Sequence, residues 1–262
     1  MRLKAYWTAF AVQAKQISRY RAAAFGGMVT QAFFGTMLVA LYDTLIGDRT
    51  LFRETVTYVW IQQIFFRAFF TSDTEFNEQI IQGAVCYTLL RPVDLHLWCV
   101  IREMAGKIVN VLMRLVPMVL LLFLLPEAWR IRPPESTLGL VQFTVSLGVG
   151  FLSIAQINLI VSAVLMRTMD NKGITAMINL IMMILGGNII PLTIVPERIQ
   201  TLLRYQPFAQ MLDAPIRMYL HTMSAPEWLL SLGIQLFWLA AMGCLSRGLW
   251  SRNIRRIELQ GG

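Results

Sequence analysis

Apolar residues gather into six long runs, at roughly 24–46, 53–71, 97–125, 138–166, 173–195 and 227–247, with charged turns between them. A bilayer core of about 30 Å is crossed by about 20 apolar residues rising about 1.5 Å each, and every run meets or approaches that length. The pattern predicts an all-α, polytopic membrane protein with six transmembrane helices. Over residues 1–22, Leu3, Tyr6, Trp7, Phe10, Ala14 and Ile17 recur at three- and four-residue steps, opposite Lys4, Gln13, Lys15 and Arg19. Such a face predicts an interfacial helix lying on the membrane. A simple cytoplasmic extension of the first span is the alternative.

Two further segments break the alternation of span and turn. In 72–96, Ser72-Asp73-Thr74-Glu75 reads as a helix start, with Ser72 capping and Glu75 completing a capping box. Phe76, Ile80, Ala84 and Tyr87 then fall on one stripe, and Pro92 stops the helix at or before Arg91. A short amphipathic helix therefore leads into the extended piece Leu89-Leu90-Arg91-Pro92-Val93-Asp94. In 191–226, Pro191 and Pro196 interrupt the fifth run, and a short amphipathic piece precedes Pro207 and a second apolar piece. This is too hydrophobic for a plain loop and too broken for a seventh span. An external re-entrant helical hairpin between spans five and six is the expectation.

Polar residues inside the runs carry the remaining signals. Glu103 and Lys107 stand four apart and are placed to pair. Arg67 lies near a span end, from which it can snorkel. Arg114 falls roughly 18 Å below the end of its run at Pro126, near mid-bilayer, where a lipid-exposed cation costs several kcal/mol. It must face protein or water, as a structural arginine or as a substrate contact. The amides Gln62, Gln63, Gln156, Asn158 and Asn179 more readily tie helices together than bind a ligand. Asp43, Asp73, Asp94, Asp170 and Asp213 read as loop or span-end residues.

Composition narrows the function classes. With 56% hydrophobic and 15% charged residues, no polar stretch approaches the roughly 50 residues of an independent soluble domain. Residues 1–262 therefore read as a single transmembrane domain, and any ATP hydrolysis must come from another polypeptide. The first residues do not form a cleavable signal, because their apolar positions are spread at helical spacing. Cys86, Cys99 and Cys244 are scattered, and His96 lies far from His221. Neither a disulfide framework nor a metal site is indicated. The net charge of +8 is uneven: for six spans, thirteen basic residues lie on the side of the termini and seven opposite. That excess puts both termini in the cytoplasm. It also suits contact with anionic membrane lipid, and lacks the interleaved aromatics of a nucleic-acid surface.

Taken in order, these landmarks resemble the six-span permease subunit of a bacterial ABC-2 type exporter. The resemblance rests on Tyr20-Arg21-Ala22 leading into span one, on the capped helix ending at Leu89-Leu90-Arg91-Pro92-Val93-Asp94, and on two later pieces, Ile190-Pro191-Leu192 and Leu203-Arg204-Tyr205-Gln206-Pro207-Phe208. It implies a single transmembrane permease domain in the bacterial inner membrane. That permease would pair with an identical or homologous second permease and with two ABC ATPase subunits. ATP and Mg would sit on the partner, with no cofactor on this chain and no catalytic residue. The helix at Thr74–Val85 would couple to the ATPase, with Phe76 and Ile80 as anchors and Glu75 and Glu78 as charge partners. Arg91 would hold the loop and Pro92 would stiffen it. Gln63, Arg114, Asn158 and Asn179 would line a substrate path suited to a bulky amphipathic molecule.

Three other readings compete. An intramembrane enzyme would need catalytic groups within a span. An ATP-independent secondary transporter would need inverted repeats and buried carboxylates. A non-transporting accessory subunit has no sequence signature that separates it.

Overall fold

Each apolar run becomes helix, and what stops each helix is local chemistry. The computed structural model describes residues 2–85, 92–170, 172–221 and 223–254. α1 (Arg2–Ser18) is followed by α2 (Arg21–Leu45) and α3 (Arg49–Phe70), the last capped by Asp48, whose side chain accepts from Thr50 N–H. The short α4 (Thr74–Ile81) precedes α5 (Leu95–Leu122). Ser136 caps the 32-residue α6 (Thr137–Thr168), which ends where Met169 turns left-handed at φ 57°. α7 (Lys172–Leu185) stops at Gly186-Gly187, and Gly187 has φ +82°. A Cβ there would lie 2.6 Å from the Tyr58 hydroxyl, so only glycine fits. α8 (Glu197–Arg204), α9 (Pro207–Leu220) and α10 (Ala225–Ile254) complete the chain.

The all-α expectation holds, but the count of six membrane-crossing helices does not. Among the described residues four helices are long and apolar enough to cross a membrane: Ala22–Leu45, Leu95–Leu122, Thr137–Thr168 and Ala225–Ile254. The second run fails because Arg49, Arg53, Glu54 and Arg67 dilute α3, whose middle is packed on all sides by protein. The fifth fails because α7 has 14 residues, about 21 Å of helix.

The external re-entrant hairpin is corrected as well. Residues 191–226 form a 3-10 turn at Leu192–Ile194 and two helices of unequal role. α8 is exposed along much of its length, whereas α9 is an internal element of the bundle, with Met211, Ala214, Ile216 and Met218 buried.

α6 is the spine. Its most apolar window is 72% buried, against 11% for α10, so α10 covers α6 and turns most of its surface outward. Backbone meets backbone where α6 crosses α9: a Cβ on Gly150 would lie 2.5 Å from Met211 O. Buried polar groups bind the helices to one another. Gln235 Nε2 donates to Ser146 Oγ at 2.6 Å and to Gln210 O at 2.7 Å, and Gln62 Nε2 donates to Gly187 O at 2.9 Å. The intramembrane amides thus serve mostly as helix ties, as a low-dielectric interior requires.

Contacts define two ends. At one, Trp129 Nε1 donates to Asp43, Arg132 N–H to Thr57 Oγ1, and Tyr219 Oη to Arg132 O. At the other lie α1, α4, the start of α5 and the end of α10, joined by a second hydrophobic cluster. There Arg247 pairs with Asp94 at 2.6 Å, and Asp94 N–H donates to Tyr6 Oη. α1 packs on α5 while Leu3 and Trp7 stay 84% and 70% exposed, an apolar outer edge suited to a membrane surface.

Candidate functional site

The richest polar chemistry sits where α4 meets α5. The cap of α4 is Asp73, not Ser72: its carboxylate accepts from Phe76 N–H at 3.2 Å. Glu75 does not close a capping box and turns instead to Arg102 on α5. Arg102 donates through Nε to Asp73 Oδ2 at 2.6 Å and through Nη2 to Glu75 Oε2 at 2.8 Å. One guanidinium fork thus clamps the first turn of α4, with Trp98 under its face at 4.7 Å. The next residue of α5, Glu103, accepts from Asp73 N–H at 2.7 Å and from Asn158 Nδ2 at 2.8 Å. Lys107 stands 3.4 Å from Glu103, the pairing expected from the sequence, and also donates to Ala68 O and Thr71 O. Both residues are buried. A buried ion pair needs this many hydrogen bonds to offset its desolvation.

Beneath α4 the contacts are aromatic. Phe76 stacks on Trp250 with ring centres 5.6 Å apart and planes at 15°, and meets Trp98 edge-on at 6.4 Å. Trp250 Nε1 donates to Leu159 O. Phe76 and Ile80 are 2% and 4% exposed. They anchor α4 to its own chain. The outer face of α4 carries Thr74, Glu78, Ile81 and Gln82, and Glu75 is half-exposed. Pro92 follows as an exposed residue. Arg91, with Leu89 and Leu90, lies outside the described residues.

A cavity of about 790 Å³ opens beside this cluster, bounded by α1, α2 and α5 and by the last turn of α3. Its wall on α5 runs from Arg102 to Arg114, about 18 Å along the helix. At the α4 end Arg102 is paired with Asp73 and Glu75, and Lys107 with Glu103. At the far end Arg114 is 3% exposed and its Nη1 donates to Gln31 Oε1 on α2.

Of the residues expected along a substrate path, Arg114 alone lines this cavity. Gln63 is buried beside Gly35. Asn158 is held by Thr71 O and Glu103, and Asn179 is half-buried on α7. The structure does not bring the four together. It also reveals two buried carboxylates that the sequence placed otherwise or left as a simple pair. Asp213 lies inside α9, 1% exposed, accepting from Arg217 Nε at 2.6 Å and from Tyr58 Oη at 3.1 Å. Glu103 is the other. The four-residue spacing to Arg217 was the available signal for Asp213. Among the described residues no group of three or more His, Cys, Asp and Glu side chains could hold a metal ion.

Spanning-length apolar helices joined through buried amides and ion pairs make this a multi-pass helical membrane protein. Residues 27–261 match the family of ABC-2 family transporter proteins, and the chain belongs to that family. The resemblance read from the sequence is therefore correct at the family level. The chain has a general ABC-2-type transporter role. A search of curated proteins gave no match.

Proposed function

We propose that the chain, as one permease domain, is the transmembrane subunit of an ATP-driven exporter, moved by separate ATPase subunits that bind ATP and Mg. Pairing with a second permease and residence in a bacterial inner membrane, both termini cytoplasmic, belong to the same reading. One observation carries it: α4 is clamped rigidly to α5 by Arg102 at the end shared with α1 and the tail of α10, while its opposite face stays open. A helix fixed at its base and bare on its outer side can turn a push from a soluble partner into rotation of the bundle. Glu78 and Ile81 are then the contact residues, and Phe76 and Ile80 keep the lever stiff.

The buried carboxylates Glu103 and Asp213 favour a second reading, ion-coupled transport without ATP. Each already has its own cation, Lys107 and Arg217, and that pairing supports the first reading. The test is purification of the tagged chain from native membranes in mild detergent, with mass spectrometry of what co-elutes. A Walker-motif ATPase at equal copy number is expected, and its loss in the Glu78→Lys/Ile81→Asp double variant. A permease that elutes alone after crosslinking overturns the proposal.

A further inference from the structure

Arg114 is nearly inaccessible, yet its Nε has no hydrogen-bond partner. A buried cation with an unmade donor is costly. Arg67 lines the same cavity, and its guanidinium makes no ion pair or side-chain hydrogen bond among the described residues. Among the described residues no carboxylate along the cavity pairs with Arg67 or Arg114. Asp73 and Glu75 are taken by Arg102 and Glu103 by Lys107, and Glu78, which lines the cavity from α4, pairs with neither arginine among the described residues. Two unneutralised guanidinium groups therefore face one space.

The space is shaped for them. On α2, a Cβ at Gly27 would lie 2.8 Å from Arg114 Nη2, so the glycine leaves the room that the guanidinium occupies. Gln13 supplies a further buried atom on the cavity wall, an Oε1 with no donor. The cavity adjoins an apolar groove of about 430 Å³ between α2 and α5, with which it shares Ala24 and Met113. The groove continues past Phe25, Val109, Leu112 and Pro117. Both helices turn apolar side chains outward here, Phe25 at 61% and Leu112 at 59% exposure. The end of the cavity that holds Arg114 thus opens sideways into an apolar channel of a spanning-length helix pair.

We propose that this pair of spaces binds an amphiphile with a phosphate or carboxylate head, its anion against Arg67 and Arg114 and its apolar chain in the α2–α5 groove. The inference rests on the permease reading, for which such a molecule is the class of cargo. A free hydroxyl on the head satisfies Gln13 Oε1. A guanidinium is suited to the anion because it donates in a planar fork.

The test is equilibrium binding to the full-length chain in a neutral detergent. Three probes are compared: a single-chain lysophosphatidylglycerol, a monoacylglycerol with the same chain, and glycerol phosphate. The lysophosphatidylglycerol should bind about tenfold or more tightly than either of the others. Arg114→Gln and Arg67→Gln should each remove that advantage and leave the monoacylglycerol unaffected. Arg67 is exposed, so its variant decides the matter should Arg114→Gln fail to fold. Tight binding of glycerol phosphate alone would show a soluble-anion site and overturn the inference, as would charge-independent binding of both lipids. So would a Leu112→Cys crosslink between two copies with no probe bound, which assigns the groove to a second subunit. Binding needs no ATPase, so a parent chain that elutes without any ATPase would refute the permease reading and leave this result standing.

Discussion

Replacing Phe76 by alanine separates an inward anchor from an outward docking residue. Phe76 is 2% exposed and contacts Trp98 and Trp250 by stacking and edge-on packing. Truncating a buried phenylalanine costs about 3–5 kcal/mol, and each lost aromatic pair accounts for about 0.5–1.5 kcal/mol of that. Ile81 on the opposite face is 49% exposed, and its alanine variant should stay within about 0.5 kcal/mol of the parent. Cys99 offers a local reporter, because its thiol is buried in the same cluster as Phe76. With Cys86 and Cys244 replaced by serine, a thiol-reactive dye reads opening of this cluster during heating in detergent. Phe76→Ala should bring labelling forward by roughly 6–20 °C, and Ile81→Ala should leave it unmoved. An unchanged labelling temperature for Phe76→Ala, with loss of the co-purifying ATPase, would refute the inward assignment and restore Phe76 as a docking residue.

Two further outcomes follow from close contacts. Gly150→Ala puts a methyl group 2.5 Å from Met211 O, a rigid backbone atom, and should destabilise the α6–α9 crossing by about 1–3 kcal/mol, read as a lower unfolding temperature. At Asp94 the Leu97 N–H, and then the Arg247 guanidinium, hold the carboxyl below its ordinary value of 3.8 against the opposing pull of partial burial. A carboxylate lowered in the folded state contributes stability above that ordinary value and loses it as pH falls through the folded one. Asp94→Asn should therefore flatten the dependence of the unfolding temperature on pH below about 4, while keeping the helix cap.

Much of the secondary structure was legible. Runs of apolar residues, Asp48 before α3 and the glycine pair after α7 mark element boundaries that a sequence displays directly. The site was legible only in fragments. Glu103 and Lys107 lie four apart, so one helix suffices to foresee their contact. The Arg102 clamp joins residues 27 and 29 positions apart, and no periodicity links them. What lies over the apolar face of α4 was not legible, because a short amphipathic helix shows which face is apolar without showing what covers it. Trp250 covers it, from the far end of the chain.

Apolar runs long enough to need a bilayer, and an excess of basic residues at the chain ends, determined by themselves that this is a helical membrane protein. Those properties depend on composition and local spacing, which survive any arrangement of the helices. Tertiary structure alone decided which runs remain spanning candidates, that α9 is internal, and that Phe76 points inward. It alone left Arg67 and Arg114 facing one cavity with no carboxylate paired to either among the described residues. Burial and pairing are properties of neighbours, and the neighbours of each of these residues come from other helices.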